Sequence, residues 1–271
     1  MNGASREALA AARERLDALT DATSVDAARL ADELAAVTAL LDREVSLRRV
    51  LTDPAQAGEG KAELVQRLLG TQVGGETTDL VSGMVRSRWS QSRDLVDALE
   101  ELAATADLTA AQRDGSLDSV EDELFRFGRI VASSTELRAA LTDRKATTSA
   151  KSELLRSLLG GRAAPATERL VTRLVTAPRG RSLEAGLESL SKLAADRRDR
   201  MVAVVTSAVP LSDVQKQRLG AALAKLYGRR MHLNLDVDPE VLGGIRVQVG
   251  DEIINGSLAD RIADAERRLA S

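Results

Sequence analysis

Leu47–Gly70 reads LRRVLTDPAQAGEGKAELVQRLLG, and Leu137–Gly160 reads LRAALTDRKATTSAKSELLRSLLG. Set one above the other at a displacement of 90 residues, eleven of the 24 positions are identical, with no gap. The identities are Leu47/Leu137, Arg48/Arg138, Leu51/Leu141, Thr52/Thr142, Asp53/Asp143, Lys61/Lys151, Glu63/Glu153, Leu64/Leu154, Leu68/Leu158, Leu69/Leu159 and Gly70/Gly160. The register continues through Thr77/Thr167, Leu80/Leu170, Val81/Val171 and Val85/Val175, and backwards to Glu33/Glu123 and Leu34/Leu124. The apolar residues recur at helical spacing. A helical module has been duplicated, and its period exceeds the roughly 20–50 residues of a solenoid unit. Each copy is long enough for a small domain.

Outward from the repeat, Ser5 to Leu19 predicts a helix, with Ser5 as its cap and Leu9, Ala12 and Leu16 on its apolar face. Val25 to Val50 predicts one long helix that stops at Asp53-Pro54, because proline disfavours helix in the residue before it. Lys61 to Leu69 predicts a short helix ended by a left-handed Gly70. Thr78 to Val85 and Ser92 to Ala106 follow. The second copy runs the same course, closing with a helix over Leu183 to Arg198. Leu95 to Ala106 aligns with that closing helix and, more loosely, with the opening helix of the first copy. It reads as closing one bundle and opening the next.

Near Arg200 the period changes from 3.6 to 2. Met201 to Ser207 reads as a strand, Val214 to Tyr227 as a helix capped by Ser212, and His232 to Val237 and Gly244 to Val249 as half-buried strands. Gly250-Asp251 reads as a hairpin-type turn. Ile253-Ile254 reads as a short strand, and Ser257 to Leu269 as a last helix. The fold class expected is mainly α, with two tandem helical bundles, 1–108 and 109–199, followed by a small mixed α/β domain over 200–271.

Composition narrows the function. Net charge is -3 and the charges are interspersed, unlike the basic stripe of a nucleic-acid binder. There is no cysteine, and the lone His232 makes no metal site by itself. No apolar run reaches the ~18 residues that span a bilayer. A soluble intracellular protein is expected, held at any membrane by a partner. Gly243-Gly244 precedes a strand rather than a helix, so it does not read as a phosphate cradle. Asp236, Asp238, Asp251 and Glu252 lack the spacing of a calcium loop and read as turn acids. Trp89 reads as packed beneath a polar loop. No catalytic residue, cofactor or metal ligand is expected.

Val237–Asp251 (VDPEVLGGIRVQVGD) followed by Ile254-Asn255-Gly256-Ser257-Leu258 resembles the signature of the delta subunit of bacterial F-type ATP synthase, whose mitochondrial counterpart is the oligomycin-sensitivity-conferring protein. The signature positions are Gly243, Gly244, Arg246, Gly250, Asp251, Asn255, Gly256 and Ser257; Asn255 stands where aspartate is usual. Ala203–Ser212 and the Lys-x-Glu-Leu helix of each copy resemble the family as well. The resemblance extends to actinobacterial members whose helical domain is duplicated, sometimes fused to a stalk segment.

The resemblance implies a non-catalytic stator. Its helical domain would bind N-terminal helices of the alpha subunits, and its C-terminal domain the end of a separate b-type stalk subunit. It would stand as a single copy per complex, on the cytoplasmic face of the plasma membrane, without inserting into the bilayer. Copy two is expected to meet the alpha helices and copy one to brace the stalk; the opposite order stays open. A candidate partner groove is Leu9, Ala12, Leu16, Leu95, Leu99 and Leu102. A free-standing helical adaptor, taking partner helices in its bundle grooves, is the alternative.

Overall fold

The computed structural model describes residues 1–21, 25–199, 202–227, 231–238, 244–249 and 252–255. They form two compact units, Met1–Ala194 and Ala195–Ser271.

The first unit is helical: α1 (Gly3–Asp21), α2 (Ala27–Arg43), α3 (Val45–Thr52), α4 (Gly58–Leu69), α5 (Gly75–Arg86), α6 (Ser92–Arg113), α7 (Leu117–Ser133), α8 (Thr135–Thr142), α9 (Thr148–Leu159), α10 (Pro165–Thr176) and α11 (Leu183–Asp199). Displaced by 90 residues, α2 to α5 coincide end for end with α7 to α10. The same displacement carries α1 onto the body of α6, and α6 onto α11 within a residue at its start. Each copy is therefore a six-helix set, and α6 belongs to both. The position 108/109 falls inside this helix.

Local chemistry explains where the elements begin and end. The single helix expected over Val25–Val50 is broken at Glu44 (φ -91, ψ 77), which ends α2 and starts α3. The break is held from the far side by Arg48, whose guanidinium donates to the carbonyl of Leu41 at 3.2 Å. Arg138 does the same for Val131 and Ala132, at 3.3 and 2.7 Å. Orphan carbonyls at a helix end need such donors, and this accounts for the Arg48/Arg138 identity. Asp53 and Asp143 each close a turn, accepting from Ala55 at 2.9 Å and from Lys145 at 2.8 Å.

Two further expectations are corrected. Ser5 does not cap α1. It lies inside the helix, fully buried, donating to Asp94 at 2.7 Å and accepting from the Ser90 amide at 2.8 Å. Gly70 is not left-handed, with φ -60 and ψ -17. It is required because a Cβ there would stand 2.6 Å from the Gln66 carbonyl oxygen; at Gly160 the distance to the Arg156 oxygen would be 2.5 Å.

The second unit holds β1 (Val202–Ser207), α12 (Asp213–Tyr227), β2 (His232–Val237), β3 (Ile245–Val249) and β4 (Glu252–Asn255), with strand order β2-β1-β3-β4. β1 and β2 run parallel, joined through α12, and the other pairings are antiparallel. Val205 lies opposite Leu235 on one side and Val247 on the other. Ser212 and Gln215 form a reciprocal cap for α12: the Gln215 amide donates to Ser212 Oγ at 3.3 Å, and the Ser212 amide to Gln215 Oε1 at 2.9 Å. α12 covers one sheet face, with Leu223 packed on Ala203, Val205, Val247 and Val249. The fold is thus mainly helical with a small α/β part, as the change of period requires. The helix expected over Ser257–Leu269 lies outside the described residues.

Gly70→Ala and Gly160→Ala should each cost about 1–3 kcal/mol, the usual penalty for forced overpacking. Gly128→Ala, mid-helix in α7 with Leu187 at an ordinary 4.0 Å from the new Cβ, should instead gain about 0.5–1 kcal/mol. Urea unfolding of the three variants checks both signs.

Candidate functional site

The polar residues retained at the 90-residue spacing build the same bolt twice. In copy one, Glu33 of α2 accepts from the Gly74 amide at 2.9 Å and from the Thr77 hydroxyl at 2.5 Å. In copy two, Glu123 of α7 accepts from the Ala164 amide at 2.9 Å and from Thr167 at 2.5 Å. Each carboxylate thereby meets the N-terminal end of the fifth helix of its set, where free amides and the helix dipole favour an anion. Burial acts to raise the Glu33 carboxyl, but Thr77, Arg29 and the Gly74 amide together hold it below its ordinary value of 4.5. This bolt orients α5 and α10; it has no free nucleophile or vacant ligand position.

The second polar centre has no counterpart in copy one. Asp107 of α6 is fully buried and accepts from Arg169 of α10 at 2.6 Å and from Arg173 of α10. Arg173 also pairs with Asp32 of α2 at 2.5 Å. The positions 90 residues earlier hold Asp17, Asp79 and Gly83. Burial pushes the Asp107 carboxyl up, against the pull of Arg173 and Arg169.

The predicted groove residues all fall in one hydrophobic core. Leu16, Leu95, Leu99 and Leu102 are wholly buried, Ala12 nearly so, and Leu9 is 8% exposed. They are one stripe repeated, since Leu9 and Ala12 lie 90 residues before Leu99 and Leu102. Of the C-terminal signature, Gly244 has φ 131, a backbone conformation that favours glycine. Arg246 lies on β3 opposite Thr206 and Asn255. Asn255 ends β4. Gly243, Gly250, Asp251, Gly256 and Ser257 lie outside the described residues. Trp89 is packed, donating from its indole to the Met84 carbonyl at 2.8 Å.

Among the described residues no group of three acidic, histidine or cysteine side chains could hold a metal, and no helix is long and apolar enough to cross a membrane.

The model of the ATP synthase delta (OSCP) subunit family matches residues 103–269, which is more than half of the chain. The chain belongs to that family. It is similar to the ATP synthase subunit delta of Streptomyces coelicolor, 84% identical over 271 residues, covering 100% of this chain and 99% of that protein. It is similar as well to that of Thermobifida fusca, 50% identical over 270 residues and the full length of both. The duplicated length is thus common to these family members. A chain of the cryo-EM structure of the Toxoplasma gondii mitochondrial ATP synthase hexamer aligns at 21% identity over 62% of this chain and 95% of that one, with TM-score 0.33, too low to carry an argument. The family match begins inside α6 and takes in copy two and the α/β unit, so copy two lies within the matched span and α1 to α5 outside it.

Sequence reasoning missed Asp107, Arg169 and Arg173. Arg169 and Arg173 stand where the other copy has Asp79 and Gly83, a difference open to inspection, whereas Asp107 matches Asp17 and only its burial sets it apart.

Two measurements follow. Asp107→Ala leaves the half-buried Arg169 guanidinium without its Asp107 partner and Arg173 with Asp32 alone, and should cost about 1–3 kcal/mol, read by urea unfolding at neutral pH. A carboxyl held low in the folded state stabilises the fold above its unfolded value, and that contribution is lost as pH falls through the folded value. Glu33→Gln should therefore differ most from the parent at neutral pH, and the gap should close on acidification below 4.5; a gap constant with pH would contradict the role of the charge.

Proposed function

We propose that the chain is the stator subunit of an ATP synthase peripheral stalk. It ties the alpha subunits of the catalytic headpiece to a b-type stalk subunit, so that rotor torque drives ATP synthesis. The observation that carries this reading is membership of the delta (OSCP) family over residues 103–269, with relatives that align end to end and are ATP synthase subunits. A stator needs stiffness and helix-receiving surfaces rather than chemistry, and the polar centres described above serve packing.

In this reading residues 109–199 take the N-terminal helices of the alpha subunits, residues 1–108 brace the stalk, and residues 200–271 bind the end of the b-type subunit. One copy serves each complex, at the cytoplasmic face of the plasma membrane, held there by its partners. The position of the family match favours copy two as the headpiece module. Copy-one stripe residues such as Leu16 and Leu99 are closed in its core, so a partner helix in this reading docks over their neighbours.

The test is titration of an alpha-subunit N-terminal helix peptide into the intact chain by calorimetry, followed by photo-crosslinking to locate it. Binding with crosslinks to residues 114–199 is expected. Crosslinks confined to residues 1–91 would reverse the assignment of the copies. Absence of binding would contradict the stator reading and favour a free-standing helical adaptor.

A further inference from the structure

Ion pairs join α10 and the turn after it to the shared α6 and to α2 of copy one. The anions stand on α2 and α6: Asp32, Asp42, Asp97, Glu100 and Asp107. The cations stand on α10 and the turn after it: Arg169, Arg173, Arg179 and Arg181. The centre is Arg179. Its side chain is 5% exposed. It donates to Asp97 at 2.6 Å and to Glu100 at 2.6 Å, and lies 3.4 Å from Asp42. Its own carbonyl accepts from Arg93 of α6 at 2.7 Å. Arg181 adds a second pair to Glu100.

The backbone is bent to make this reach. Arg179 has φ 49, the left-handed region that L side chains rarely enter, and Gly180 follows at φ 82. Among the described residues Arg179 is the one non-glycine with positive φ. The equivalent position in copy one, 90 residues earlier, is Trp89, which turns inward and fills its own core. The same turn has therefore been put to opposite uses: inward packing in copy one, outward clamping in copy two. Strain of this kind persists only where surrounding contacts over-determine it.

We propose that Arg179 is a latch that locks the later helices of copy two onto the shared α6 and onto α2 of copy one, so that the duplicated helices act as one rigid body rather than two modules on a shared helix. The inference deepens the stator reading, since a brace must not hinge, but its test is independent of that reading. A planar guanidinium whose nitrogens reach three different carboxylates suits the role, because charge-assisted contacts in several directions fix orientation as well as distance. Removing the latch leaves the Asp107 centre, the Arg173–Asp32 pair and the Arg181–Glu100 pair in place, so the copies should rock about α6 without separating.

The chain has no cysteine, so spin labels can be placed cleanly at Glu63→Cys of α4 and Glu153→Cys of α9, exposed and equivalent positions in the two copies. Distances are read by pulsed electron resonance on the full chain. The parent should give one narrow distribution, and Arg179→Ala a broadened and shifted one. Arg86→Ala, which removes an exposed pair to Glu59 inside copy one, should leave the distribution as in the parent. If Arg179→Ala does not fold, the pair Asp97→Asn with Glu100→Gln takes its place, with the same broadening expected. An unchanged distribution in whichever variant folds would overturn the latch.

Discussion

The structure depends on the burial of one helix. Fourteen of the 22 residues of α6 are buried, including Asp94, Asp107 and five alanines. A helix covered so fully is buried on more than one face, and such helices belong to the centre of an assembly. α6 can be covered because Ala98, Ala103 and Ala106 present little bulk, letting α2 with its own Ala31 lie close. Its C-terminal Arg113 donates to the carbonyls of Val25 and Thr20, which ties the end of α6 to the α1–α2 connection. Two six-helix sets that share a helix share a core boundary as well, and Met1–Ala194 is accordingly one compact unit.

From that constraint the mechanical reading follows. A duplicated bundle joined by a flexible linker would add mass to a stalk but little stiffness. A duplicated bundle that shares a buried helix, with arginines of copy two paired to carboxylates of that helix and of α2 in copy one, adds a lever. Most of these pairs are partly buried, so salt screens them less than it would surface pairs. The free-energy gain of such pairs is modest once desolvation is counted, and their value lies in fixing one arrangement.

Much of this was legible in the sequence, and what was not has identifiable causes. The duplication, the change from period 3.6 to period 2 near Arg200, and the family signature near Val237–Leu258 are patterns in chain order. The break between α2 and α3 was hidden because no proline or glycine marks Glu44; it is held by the Arg48 side chain reaching back to the Leu41 carbonyl, which residue spacing does not show. The identity Glu33/Glu123 was visible, but its partner at the start of the fifth helix was not, since 41 residues separate Glu33 from Gly74. Ser5 has the residue type of a cap and is instead a buried link between α1 and α6. Leu9, Ala12, Leu16, Leu95, Leu99 and Leu102 were recognised as one apolar surface, and the fold closes that surface into a core. Arg169, Arg173 and Arg179 escaped notice because they break the repeat, and a search for repeats passes over the residues that differ; Asp107 matches Asp17 and is set apart only by the arginines that reach it.

The measurement closest to the central claim is ATP synthesis driven by a proton gradient in membranes stripped of this chain. A stator predicts that synthesis is lost while the headpiece retains its hydrolysis of ATP, and that adding back the intact chain restores coupling. Synthesis that continues undiminished without the chain would contradict the account.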